Sequence, residues 1–240
     1  MGSENSPVEI RFDPQAFSGE LPLFPLPEFV LLPGGLVPLH VFEPRYRDMV
    51  RDALEGERLI GMALLLEGQL VVDEVPEIEP MVCLGRIVLE REHPDGRFNL
   101  VLAGMHRARV LSEDRSRSYR LAKVELVADQ YPQWWDDELA ATRLVDFFEQ
   151  LPAALVRQRD RLHQATLLLR RRAGNELPLG AVVDLLADGV VLEPNQRLEL
   201  LREPKVGRRL SSLTDACSRA AIAIQGHAPR VSWRPRFSLN

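Results

Sequence analysis

The sequence predicts an α+β protein in which a small closed β-barrel, interrupted by one helix, is followed by a C-terminal α-helical bundle. Three observations carry that prediction. Residues 20–128 contain several short apolar runs separated by Pro, Gly and Asp-Gly turn signals. One stretch among them, opened by Glu43-Pro44, places its apolar residues at helical spacing. Residues 136–226 then keep helical spacing to their end. Short strands around one inserted helix are most economically buried by closing the sheet on itself.

Each element follows in chain order. Residues 1–19 are polar and interrupted by Pro7, Pro14 and Gly19, and read as a loose arm with one short strand at Val8–Phe12. Leu21–Leu32 is apolar but carries Pro22, Pro25 and Pro27, which predicts an edge or rim strand. Pro33-Gly34-Gly35 is a turn signal, and Leu36–Phe42 a second strand. Pro44 suits the first position of a helix, where its missing N–H costs nothing. Tyr46, Met49, Val50, Ala53 and Leu54 share one face of that helix, and Gly56 ends it. Arg58–Leu66 is a buried strand, Gly68 turns into Gln69–Val72, and residues 73–80 form a solvated acidic loop. Val82–Arg91 and Arg97–Ala103 flank a Pro94-Asp95-Gly96 hairpin. Ala108–Leu111 and Tyr119–Val127 complete the strands.

The helical half opens at Asp136-Asp137-Glu138, acids that the helix dipole favours. Its first helix runs to about Gln150 with Leu139, Leu144, Val145 and Phe148 as its stripe. A second covers residues 153–173 and ends at Gly174-Asn175, and a short one follows Pro178. Glu193-Pro194 and Glu203-Pro204 repeat the helix start seen at Glu43-Pro44. The last helix has a seam of Val206, Leu210, Leu213, Cys217, Ala220 and Ile224.

Composition narrows function. The chain has 240 residues and a net charge of −5, and residues 20–130 carry 19 acids against 13 bases. Phosphate binding needs a concentrated basic surface, so nucleic acid is not the expected partner. The N-terminus lacks a basic region followed by an apolar core, so no signal peptide is read there, and no run of about 18 apolar residues predicts a membrane span. The only lysines are Lys123 and Lys205, preceded by Ala122 and Pro204. Neither sits in the Gly-Lys-Ser/Thr context of a phosphate-binding loop. Lys123 lies in a strand and Lys205 at a helix start, so neither suggests a serine–lysine dyad. Cys83 and Cys217 are far apart and offer no zinc spacing. Cys83 is a nucleophile only if His106 or His40 lies beside it; a core thiol is the simpler reading. His40 with Glu43, and His93 with Glu90 and Glu92, lack the third ligand a metal needs.

Candidate binding residues remain. His40, Phe42 and Tyr46 either line a groove beside the Pro33-Gly34 turn or pack the inserted helix. Arg107 and Arg109 either recognise a carboxylate or pair with Glu113 or Asp114. Trp134 and Trp135 mark the junction of the two halves. The tail holds Arg230, Arg234 and Arg236 with Trp233 and Phe237 and no acid.

The block Leu21–Leu54, LPLFPLPEFVLLPGGLVPLHVFEPRYRDMVRDAL, resembles the opening of the Lon protease N-terminal (substrate-binding) domain family. The shared features are the LPLFPL strand, the Pro-Gly turn, a Pro-Leu strand and the helix after Glu-Pro-Arg-Tyr. Gly85, Pro94-Asp95-Gly96 and the Gly104–Arg109 segment form a second matching block, and Pro194–Leu201 a third. The resemblance covers about residues 20–225. It implies a PUA-like β-barrel over 20–130, a helical bundle over 131–226, an arm at 1–19 and a tail at 227–240. Taken with the lysine contexts and the Cys and His spacings, the expectation is a stand-alone, non-catalytic, ATP-independent and cytoplasmic module, an adaptor in protein quality control with no cofactor and no metal. Its expected partners are unfolded or peptide segments of proteins, with a protease or chaperone as a further candidate, and neither nucleic acid nor membrane. Expected partner-binding residues are Pro33, Gly34, His40, Phe42, Tyr46, Arg107, Trp134 and Trp135. An RNA-binding PUA-like protein and an uncharacterised hydrolase are the alternatives.

Overall fold

A computed structural model describes residues 12–66, 76–131, 138–170 and 178–226, the side chains of 138–140 and 170 excepted. The chain divides into two compact units, one built from Leu36–Leu126 with the residues up to Pro27, the other from Val127 onward with Glu28–Gly35.

The first unit holds β1 (Glu20–Leu26), β2 (Leu36–Val41), α1 (Pro44–Glu55), β3 (Leu59–Leu64), β4 (Met81–Glu92), β5 (Phe98–Asp114) and β6 (Arg120–Leu126). Strand order is β2-β5-β4-β3-β1-β6, and β6 pairs again with β5. The hydrogen-bonded ladder β5-β4-β3-β1-β6 therefore closes on itself, with β2 outside the ring. All pairings are antiparallel except β1 with β3.

β1 is not the edge strand its prolines suggest; it has partners on both sides. The two ladders overlap at Leu23 alone, with β6 taking Glu20–Leu23 and β3 taking Leu23–Leu26. Pro22 and Pro25 each face one neighbour, so neither missing N–H interrupts a doubly paired position. β5 is one strand of 17 residues, not two. Its far edge pairs with β2 over Phe98–Ala103 and with β6 over Ala108–Asp114, so residues 104–107 mark a change of partner. Leu21, Leu23, Leu59, Val82, Leu84, Ala108 and Ala122 fill the core of this unit. Gly85 leaves room for Leu102: a Cβ there would lie 2.6 Å from its side chain. Nor are residues 76–80 solvated throughout: Ile78 bridges Leu65, and Ile78 and Glu79 are buried. The predicted strand at Val8–Phe12 and the Gly68 turn lie outside the described residues, Phe12 excepted.

α1 forms as its sequence requires. Glu43 is extended, Pro44 occupies the first turn, and Tyr46, Met49, Val50 and Ala53 are buried. The Tyr46 ring meets Phe24 of β1 edge-on at 4.6 Å.

The second unit holds α2 (Glu138–Glu149), a 3-10 turn at Ala153–Leu155, α3 (Arg159–Arg170), α4 (Leu179–Gly189), α5 (Pro194–Arg202) and α6 (Val206–Gln225). The helix expected from 153 thus begins at 159, after a separate 3-10 turn. Glu193-Pro194 opens α5, as predicted, and Glu193 and Gln196 form a capping box there. Glu203-Pro204 opens nothing: Glu203 caps the end of α5 and Lys205 precedes α6. On α6 the buried seam holds through Cys217, but Ile224 is 52% exposed, and Ala216 and Ala221 are buried instead.

Glu28–Gly35 is fixed among these helices. Val30, Leu31 and Leu32 are buried. Pro33-Gly34 makes a turn closed by Gly35 N–H to Leu32 O at 3.0 Å, with Gly34 at φ +79°. Arg197 donates to Val30 O at 3.0 Å and to Asp188 Oδ1 at 3.0 Å. A second buried guanidinium, Arg209, binds both oxygens of Asp129 at 2.5 and 2.9 Å.

Candidate functional site

The outer face of β2, β5 and β4 carries an open groove of about 480 Å³. Strand register builds it in rows. Leu89, Val101 and Pro38 are aligned across the three strands, and Arg91, Asn99 and His40 form the next row. A register shift between Ile87 and Leu89 creates the apolar row. A β-bulge changes which face the following residues present. Ile87 is fully buried, whereas Leu89 is 65% exposed. Leu36 and Phe42, 42% and 60% exposed, bracket the groove along β2. Among the described residues, β2 pairs with β5 alone.

The polar row is held in place. His40 Nδ1 lies 2.6 Å from Asn99 Oδ1, and Arg97 Nη1 lies 3.4 Å from His40 Nε2. With the amide oxygen accepting a hydrogen bond from Nδ1–H, Nε2 faces the guanidinium as an acceptor. Phe42 stacks on His40 at 6.1 Å, and His93 lies edge-on to it at 6.4 Å. Glu90 is bound by Arg58. The site presents apolar side chains and hydrogen-bonding groups, with Glu90 and Arg97 held in ion pairs at its rim.

The family described as ATP-dependent protease La (LON) substrate-binding domain matches residues 20–219. The chain belongs to the LON substrate-binding domain family. Lon protease from Dictyoglomus thermophilum is 31% identical over 195 residues, covering 81% of this chain and 24% of that protein. Lon protease from Flavobacterium johnsoniae is 25% identical, covering 58% of this chain and 17% of that protein. The chain thus spans a quarter or less of the length of these relatives. A Lon N-terminal domain protein from Xanthomonas campestris has a TM-score of 0.54 at 30% identity, over 82% of this chain and 97% of its own. The N-terminal domain of a Mycobacterium avium complex Lon protease has the same fold, with a TM-score of 0.56 at 20% identity over 83% and 98%. The family resemblance and the α+β class expected from sequence both hold.

The predicted site residues of this LON domain fall in different places. His40 and Phe42 lie on the open face. Tyr46 is 7% exposed and braces α1 on β1 instead of lining a groove. Pro33 and Gly34 belong to the other unit, where they shape the turn. Arg107 is 3% exposed and sits opposite Cys83 in the ladder. Arg109 pairs with Glu125, while Glu113 is taken by Arg120 and Arg115, so the expected pairing of Arg109 with Glu113 or Asp114 is corrected. Arg109 and Glu125 face each other across the β5–β6 ladder, whereas Glu113 lies four residues further along the same extended strand, out of reach of Arg109. His40 pairs with Asn99, whereas Glu43 is bound by Arg45. Trp134 and Trp135 lie outside the described residues. Cys83 is fully buried, its thiol directed to Leu84 O, and burial pushes the Cys217 thiol up to about 12. Among the described residues, no cluster of three His, Cys, Asp or Glu is placed to hold a metal, and no helix is long and apolar enough to cross a membrane.

Leu89 is the residue sequence reasoning missed. Its only signal is the unbroken run Ile87-Val88-Leu89, where strict alternation would place a polar residue.

Proposed function

We propose that this LON domain acts as a non-catalytic cytoplasmic adaptor, and that the β2-β5-β4 face receives apolar side chains of unfolded or extended polypeptides. The observation that carries the reading is the row Leu89, Val101 and Pro38, open to solvent and framed by Leu36 and Phe42. Exposed apolar surface bounded by polar groups marks interaction sites. Membership of a substrate-binding family supplies the class of partner. Pro38 favours docking of side chains on the face over strand addition along β2, because it cannot donate a ladder hydrogen bond at mid-strand.

A photoreactive residue in place of Arg91, beside the groove, tests this. A reduced, carboxymethylated and permanently unfolded test protein should crosslink there, and Leu89→Asp should sharply reduce the adduct. Equal adducts from a probe at Arg219 on α6, or none at 91, would refute the assignment.

A further inference from the structure

A second apolar surface of the first unit is already covered, and the manner of its covering is informative. Phe12 and Phe17 are half-buried against the core cluster, beside Leu65, Met105, Val110 and Leu126. The two rings meet edge-on at 5.8 Å, and Phe12 lies 5.9 Å from the His106 ring on β5. His106 is itself fixed by a 2.8 Å contact from Nδ1 to Arg107 O, so the surface under Phe12 is built into the strand.

The covering segment is tied down by those rings. Its own hydrogen bonds are internal: Ala16 N–H to Asp13 O at 3.3 Å and Gln15 N–H to Asp13 Oδ1 at 2.9 Å. Among the described residues, hydrogen bonds to the rest of the unit begin only at Ser18, which binds Glu57, and at Gly19, whose carbonyl accepts from Val124 N–H at 2.9 Å. Gly19, at φ +84°, supplies a bend where the segment joins β1. A segment with no ladder hydrogen bonds and two partly exposed anchors belongs to the low-stability end of a fold.

We propose that this surface is a second docking site, for phenylalanine-bearing polypeptide segments, and that residues 12–17 occupy it in cis. It shares no residue with the β2-β5-β4 face and does not depend on that face binding substrate. The chemistry of the occupant is read from the one in place: two phenylalanines separated by a four-residue turn, with a polar Asp-Pro-Gln-Ala connection facing solvent. The tethered segment competes at an effective concentration in the millimolar range, so a free segment enters when the strap is lost or when it outbids those two rings.

The test uses the full chain and a fluorescein-labelled peptide of residues 12–18, read by anisotropy. The peptide should bind Phe12→Ser/Phe17→Ser, and bind the wild-type chain at least about tenfold more weakly because the tether competes. Replacing both phenylalanines of the peptide by serine should abolish binding, and so should Met105→Asp in the double variant. Equal binding to both chains, or no binding to the emptied chain, overturns the proposal. So does a double variant that loses its cooperative melt, since the rings would then be core rather than strap. The crosslinking at position 91 reports on the other face and fails or succeeds independently.

Discussion

Replacing Arg197 by Met isolates what holds Glu28–Gly35 among the helices. Arg197 and Asp188 have side chains 7% and 2% exposed, so neither charge is solvated well enough to stand alone. The substitution deletes two bonds, to Asp188 Oδ1 and to Val30 O, each 3.0 Å long. Hydrogen bonds from a charged group contribute about 1.5–3 kcal/mol each, and breaking a buried ion pair from one side costs about 3–5 kcal/mol. Asp188 keeps a long contact to Arg157 at 3.7 Å and one to Gln158 Nε2 at 3.4 Å, which places the expected loss at the lower end. We expect about 3 kcal/mol, equivalent to a Tm lower by roughly 6–12 °C for a chain of this size. Urea unfolding followed by helical circular dichroism measures it, and accelerated amide exchange at Val30–Leu32 localises it. The cycle closes with Asp188→Leu: the double variant should recover to within about 1 kcal/mol of wild type, because a packed apolar pair carries no desolvation cost. A loss below about 0.5 kcal/mol for Arg197→Met, or two single losses that simply add, would refute the clamp.

Four further outcomes are expected. Leu89→Asp should leave stability within about 0.5 kcal/mol, since the side chain is 65% exposed, while weakening capture of unfolded protein about 5–30-fold, the share of a leucine burial it forfeits; equilibrium binding by anisotropy measures the loss. Gly180→Ala should cost about 3 kcal/mol in urea unfolding, because its Cβ would lie 1.7 Å from Asp129 Oδ2 and force apart the Arg209 pair. Burial acts to raise the Glu113 pKa, but the bonds and charge of Arg120, with Arg115, outweigh it and hold the carboxyl below the usual range. A depressed folded pKa gives stability that is present above the unfolded value, about 4.3, and lost as pH falls through the folded one, so Glu113→Gln should be destabilised at pH 7 and indistinguishable from wild type in strong acid by acid-series melts. The Cys217 thiol, held at about 12, should resist aromatic disulfide reagents at pH 8 until the chain is unfolded, as a spectrophotometric time course would show.

What the sequence revealed was local. α1 was legible from end to end because its start, stripe and stop are all set by neighbouring residues: Glu43-Pro44, the face from Tyr46 to Ala53, and Gly56. The same reasoning misfired at Glu203-Pro204, where the chain is committed to a bridge between Gln130 and Lys205 that no local pattern shows. Strand identity was readable and strand neighbours were not. Prolines in β1 argued for an edge, and only the offset of its two ladders explains why an interior strand tolerates them. The candidate site was half visible: His40 and Phe42 stand on the open face, but Leu89 owes its exposure to a bulge. The buried pairs of Arg197 and Arg209 were hidden for a related reason, since their carboxylates lie 9 and 80 residues away.

The excursion of residues 28–35 sets a rule for cutting this chain. A fragment ended at Leu126 keeps every strand but also keeps Val30, Leu31 and Leu32, now deprived of the helices that enclose them. The complementary fragment keeps the helices and lacks the aliphatic plug that fills them. Each half alone therefore exposes a sticky surface matched to the other. Mixed in solution, the two pieces should seek each other out, the loop of one serving as the key to the other.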